Sequence, residues 1–256
     1  MNWKWKNNKS GQLVCKEASD KLREAAIYRS AIIQFARVEP KSESNSNLST
    51  MSQTKITVSE GIHHPIPCRK EDLVCFNPTN PVQNKLITDL QVSYDTCSMD
   101  AIKGHSLRVS NLYIDTLAGP LNTMNAVQFV ANFAINNIEP YDANFYIGLA
   151  GERIMDTICG SPIFEKWKVY LREGDVLFEG EEGKWNRIRW MRITNDKLLF
   201  PDEAVVMGGA LYEVQTEGVD LRISESESDK IGWYGCFGFG TKKENVIYIS
   251  DGRSKK

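Results

Sequence analysis

From Lys55 onward the chain breaks into short apolar runs with β-type alternation, separated by polar turn residues. The runs are "KITVSE", "LITDLQVSY", "LRVSNLYIDTL", "AVQFVANFAI", "ANFYIGLA", "KWKVYL", "VLFEG", "RIRWMRIT", "AVVMGGALYEVQ", "VDLRIS", "IGWYGCFGFG" and "VIYIS". Each is read as a strand, with "REGD" at 172–175 and "GEEGK" at 180–184 reversing the chain between them. No amphipathic helix of three turns is recognised between any two runs, so a parallel sheet built on crossover helices is not expected. The expected fold class is all-β, a mainly antiparallel sandwich or jelly-roll-like barrel.

The N-terminal part reads differently. In "SDKLREAAIYRSAIIQFARV", Leu22, Ala25, Ala26, Ile32, Ile33 and Ala36 recur at helical spacing, with Ser19 or Asp20 as the N-cap. This predicts one amphipathic helix of about four to five turns. "KSESNSNLSTMSQ" then offers almost nothing to bury and reads as a flexible linker. The expected organisation is an arm with the helix over 1–40, a polar Ser-rich linker over 41–54 and a β-sandwich domain over 55–256. Met51 stands where an internal start would yield a shorter product.

Composition supports a folded protein, with 41% hydrophobic and 25% charged residues over 256 positions. The net charge of −2 supplies no global attraction to nucleic acid or acidic membranes. Residues 1–41 nevertheless carry nine Lys and Arg against four Asp and Glu, an excess of five. No signal-peptide core and no run of about 18 apolar residues is found, so a cytoplasmic protein with no membrane-spanning segment is expected. Six scattered cysteines suit free thiols in a reducing compartment.

Three segments are candidates for chemistry. "IGWYGCFGFGTKKE" at 231–244 approaches a phosphate loop, but Thr241 precedes Lys242 and a strand, not a helix, follows. Period two puts Ile231, Trp233, Gly235, Phe237 and Phe239 on one face, so the segment is read as a β-strand. "GIHHPIPCRKEDLVC" holds His63, His64, Cys68 and Cys75, with Cys97 and His105 as further ligand types, but close pairing occurs only once. A surface loop is expected there, with no metal and no cofactor.

The third candidate spans 166–192. It interleaves Lys166, Lys168, Arg172, Lys184, Arg187, Arg189 and Arg192 with Trp167, Tyr170, Trp185 and Trp190. Cations attract phosphates and aromatic rings stack on bases, as on single-stranded nucleic-acid surfaces. Lys166, Lys168, Arg172, Lys184, Trp185, Arg187, Arg189 and Arg192 are therefore the candidate nucleic-acid-binding residues. Glu165, Glu173, Asp175, Glu179, Glu181 and Glu182 lie in or beside the same stretch, and this near-neutral balance favours an ordinary solvated strand face. No catalytic constellation is recognised: there is no nucleophile elbow, no His-Glu-x-x-His, and pairs such as Asp95 and Asp100 arise by chance among 33 acidic residues.

In layout, a basic helical arm, a polar linker and one β domain resemble the coat and movement proteins of small RNA viruses. "NLYIDTL", in which an apolar run leads into Asp115, is similar to the strand-plus-aspartate feature of plant-virus movement proteins. The resemblance implies a non-enzymatic structural protein whose partners are single-stranded RNA and other copies of itself. It departs from those families in an arm less basic than RNA-packaging arms and in lacking a long disordered C-terminal tail. The alternatives are a carbohydrate-binding β-sandwich, whose tryptophans would stack on a glycan, and an enzyme on a β scaffold.

Overall fold

A computed structural model describes residues 6–7, 13–30, 32–38, 59–62, 65–69, 77–106, 130–135, 137–141, 144–160, 178, 180–208, 211–223, 230–241 and 246–250. The proposed linker, the "NLYIDTL" segment and the "KWKVYL" run lie outside these residues.

The chain is not all-β. Its longest element is a helix, α2, Pro81–Ser106, of 26 residues, and it contains the "LITDLQVSY" run read above as a strand. Leu86, Thr88, Leu90, Val92 and Tyr94 do alternate, which is what suggested extended chain. The burial, however, falls on Gln83, Leu86, Ile87, Leu90, Tyr94, Asp95, Ser98, Met99 and Ile102, a helical stripe more than five turns long. A period sustained over that length outweighs a short alternation. Local chemistry starts the helix: Asn80 accepts from the amides of Val82 (2.9 Å) and Gln83 (3.3 Å) as N-cap, and Pro81 takes the first helical position. Residues 130–135, within another run read as a strand, are also helical.

The N-terminal helix α1 spans Lys16–Arg29, starting before Ser19 and ending before Ile32. Ser19 is therefore no N-cap: its hydroxyl donates to the Cys15 carbonyl (2.8 Å) and accepts from the Leu221 amide (2.7 Å). A 3-10 turn, Ile33–Phe35, follows.

The described strands form two sheets. The first contains β1 (Lys6–Asn7), β2 (Leu13–Val14), β3 (Ala36–Val38), β4 (Ser59–Ile62), β5 (Ile66–Pro67), β10 (Leu211–Ile223) and β11 (Lys230–Thr241). Its order is β1-β2-β10-β11-β4, with β3 parallel to β10 and β5 antiparallel to β11. The long β10–β11 hairpin is its spine, from Leu211 opposite Thr241 to Ile223 opposite Ile231, with two register shifts between Gln215 and Asp220.

The second sheet contains β6 (Tyr146–Gly151), β7 (Glu181–Trp185), β8 (Ile188–Ile193), β9 (Glu203–Met207) and β12 (Val246–Ser250), in the order β12-β9-β6-β8-β7. β6 and β8 are parallel, with helix α3 (Glu152–Cys159) leaving the end of β6. This also corrects the sequence expectation, since a parallel pair needs a crossover and the segment supplies one. The described strands form two separate sheets that include parallel pairs, rather than the mainly antiparallel sandwich or jelly roll expected.

Alternation inside the second sheet gives the molecule two cores. Ile147, Leu149, Met191, Ile193, Val205 and Met207 join a core built with α1, α2 and the first sheet. Tyr146, Ala150, Ile188, Trp190, Ala204 and Val206 face the opposite way and pack with Phe133, Ile138, Ile154, Met155 and Ile158. A sheet covered on both faces carries apolar residues on both sides of its strands, as β6 has throughout and β9 has from Ala204 to Met207, while β8 adds Arg189 and Arg192 among its apolar positions. α1 contributes Ala18, Leu22 and Ala26 to the first core, so the N-terminal helix is part of the same packed body as α2 and β10.

Candidate functional site

The glycine-rich segment is β11, buried throughout except for its half-buried positions Lys230, Tyr234 and Cys236. Tyr94 of α2 meets Phe237 edge-on at 4.6 Å between centroids and Phe239 at 5.9 Å. The side chains of "IGWYGCFGFG" thus form the floor beneath α2, and Gly61 of β4 lies against Trp233 and Phe237.

The 166–192 candidate is described from Gly180 onward and at Phe178; Lys166, Lys168 and Arg172 lie outside the described residues. Of "GEEGK", only Gly180 is a turn residue, at φ 75°, and Glu181–Lys184 run along β7, with a bulge between Glu181 and Gly183. The reversal occurs at Asn186–Arg187, both in the left-handed region at φ 50° and 61°. That is the conformation of a two-residue type I′ hairpin, for which Asn is well suited and Arg is not. No glycine marks it, so sequence reasoning missed it.

The hairpin separates the candidate cations. Arg187, at its tip, is exposed, and its Nε donates to the Asn144 carbonyl (3.1 Å). Lys184 and Arg189 are cross-strand partners over the same ring, 4.9 and 5.1 Å from the Phe145 centroid. Arg189 is 6% exposed, lies 4.1 Å from the Phe178 centroid, and forms a bidentate pair with Glu181, donating from Nε at 3.0 and 2.9 Å. Arg192 donates to Glu182 and to Asp156 (2.7 Å), and the Glu182 contact raises its already high pKa further. The Cys159 thiol donates to the same Glu182 at 3.0 Å. These contacts tie β7, β8 and α3 together.

The aromatic half of the candidate is internal. Trp185 is 6% exposed and Trp190 fully buried, both within the second core. Of the eight candidate residues, the structure leaves Lys184 half-buried over Phe145 and Arg187 exposed at the hairpin tip, and turns Trp185, Arg189 and Arg192 to packing or ion pairing.

The other candidates do not converge. Cys68 is buried in the first core, and His63, His64 and Cys75 lie outside the described residues. Among the described residues no group of three or more His, Cys, Asp or Glu is placed to hold a metal. Cys15, Cys68, Cys97, Cys159 and Cys236 are not joined in disulfides. Asp95 is buried against Ser30 while Asp100 is exposed, so the two are not an acid–base pair. No described helix is long and apolar enough to cross a membrane.

No protein-family model and no curated protein sequence matches the chain. Among solved structures it is similar to a virus-like particle from Pyrococcus furiosus, at 12% identity and a TM-score of 0.48, covering 92% of this chain and 98% of that one. It is also similar to the capsid of Ralstonia phage GP4, at 10% identity and a TM-score of 0.47, covering 83% and 80%. A third is the SrpI encapsulin complex from Synechococcus elongatus PCC 7942, at 11% identity and a TM-score of 0.45, covering 78% and 75%. The resemblance to jelly-roll coats of small RNA viruses is corrected by the α2 helix and the parallel β6–β8 pair.

Proposed function

We propose that this chain is a non-enzymatic structural subunit that associates with copies of itself into a closed protein shell, the kind of assembly named for the capsid and encapsulin chains above. What supports this reading is the distribution of exposed apolar side chains. Tyr28 on α1 is 75% exposed, Ile62 on β4 62%, Ile135 at the end of the 130–135 helix 76%, and Phe200 before β9 52%. A single exposed apolar residue is ordinary on any surface. Four on separate elements, drawn from both halves of the molecule, offer the non-identical patches that head-to-tail contacts require, whereas an isologous dimer needs one. The polar residues of the candidate site agree with a structural role, because Glu181, Glu182, Arg189 and Arg192 hold one another rather than presenting an acid, base or nucleophile to a cleft.

The test is the mass of the purified protein. Sedimentation velocity over a range of concentrations and salt should show a large assembled species with little dimer or trimer. A monomer at every concentration and ionic strength would overturn the reading.

A contact with single-stranded RNA, if the shell holds one, falls to Lys184 and Arg187 within the described part of the hairpin. It would draw on phosphate attraction without base stacking, because Trp185 is enclosed. A salt series with a single-stranded oligonucleotide tests this: affinity should fall as salt rises and be lost in Lys184→Glu/Arg187→Glu. Glycan stacking has less support, since Trp185, Trp190 and Trp233 are all buried.

A further inference from the structure

Where α1 ends, Ser30 and Asp95 form a buried polar knot in otherwise apolar surroundings. Ser30 is fully buried and Asp95 is 4% exposed. The Ser30 hydroxyl oxygen accepts from the amides of Ile32 (3.2 Å) and Ile33 (3.0 Å), two and three residues further along the chain. With both lone pairs so used, its own hydrogen goes to Asp95 Oδ1. The second carboxylate oxygen faces the Gln91 amide at 3.4 Å. The knot thus joins α2 to the bend between α1 and the 3-10 turn, and its hydrogen-bond partners are neutral.

We propose that Asp95 is a proton-operated latch that fixes the bend after α1, and with it the N-terminal segment 13–38, onto α2. In the neutral form, the acid keeps the Ser30 bond at Oδ1 and places its proton on Oδ2, where the Gln91 amide, rotated, offers its carbonyl. In the ionised form, a negative charge sits in the same apolar pocket with two neutral donors and no cation, an arrangement that burial penalises. Burial accordingly raises the Asp95 carboxyl above its usual range, against the opposing hydrogen bonds from Ser30 and then Gln91.

The charged and titratable groups around it supply no counter-charge. α1 brings Arg23 and Arg29, the latter donating to Asn84. α2 itself carries Asp89, which accepts from Trp233, Cys97, whose thiol burial pushes up, Asp100, and Lys103, which reaches Glu203. β11 has Lys230, Tyr234 and Cys236, and the 3-10 turn has no ionisable residue.

The sign follows from linkage. A carboxyl raised in the folded state binds its proton more tightly there than in the unfolded chain, so it stabilises the fold at low pH. That stabilisation is lost as pH rises from the ordinary aspartate range through the raised value. The latch is closed in acid and loosened toward neutrality, opposite to the effect of salt-bridged carboxylates.

The test uses the full-length chain and compares it with Asp95→Asn, which mimics the neutral acid. Hydrogen exchange at the Ile32 and Ile33 amides, corrected for intrinsic rates, should accelerate with pH in the wild type by roughly tenfold for each unit by which Asp95 is raised. It should stay flat in the variant. An equal pH slope in both proteins overturns the latch. Should Asp95→Asn not fold, NMR titration of the Asp95 side-chain carbon in the wild type decides: a midpoint above the ordinary aspartate range supports the latch, and one within or below it overturns it.

Discussion

Trp233 donates its indole N–H to the Asp89 carboxylate at 3.1 Å, across the boundary between β11 and α2. Trp233 is 2% exposed, so its nitrogen has no ready access to water. Removing an acceptor from such a donor costs its desolvation, about 1–3 kcal/mol. Asp89→Ala should lower stability by that amount in urea unfolding at unchanged slope. Asp89→Asn, which keeps a side-chain oxygen there, should lower it less.

A second expectation contrasts two glycines. A Cβ on Gly61 would stand 2.8 Å from two ring atoms of Trp233 and 3.1 Å from Phe237, both held in the core. Gly61→Ala should therefore destabilise by about 1–3 kcal/mol, the usual cost of overpacking. Gly104, near the end of α2, has nothing within 4 Å of the same position. Gly104→Ala should raise the melting temperature, since alanine is favoured over glycine in a helix by up to about 1 kcal/mol. Thermal scans of both variants check the pair, and opposite signs are expected.

The β7–β8 ion pair gives a third. Arg189 and Glu181 have side chains 7% and 0% exposed. Glu181→Ala removes the bidentate acceptor from the guanidinium held between Phe145 and Phe178 and should cost about 3–5 kcal/mol. Replacing both partners with apolar residues, Arg189→Met and Glu181→Leu, should recover most of that loss, because a buried pair repays little beyond its own desolvation. Chemical unfolding of the single and double variants forms the test.

These sites also mark what the sequence could reveal. β11 was legible because Ile231, Trp233, Phe237 and Phe239 fall on one side of a two-residue period and nothing helical competes. α2 was not, because Leu86 to Tyr94 satisfies both periods, and only the stripe from Gln83 to Ile102 and the Asn80–Pro81 start separate them. The hairpin site failed for a different reason. Charge and aromatic content were visible, but side-chain direction depends on the Gly183 bulge and the Asn186–Arg187 turn. Those two features send Arg189 inward to Glu181 and leave Arg187 outside, a division no residue count contains.

Shell assembly, finally, can be separated from folding at the exposed apolar positions. Tyr28 and Ile135 are each about three-quarters exposed, so polar substitution there removes no core contact and should change stability by less than about 0.5 kcal/mol. If they seat against neighbouring copies, Tyr28→Glu and Ile135→Glu place an unpaired charge in each repeated interface, a cost multiplied around a closed assembly. The expected result is an unchanged melting temperature with a shift from assembled to monomeric protein in sedimentation velocity. Assemblies of undiminished mass in both variants would remove these two patches from the interface. An assembly that survives only the Ile135 change would assign the contact to α1.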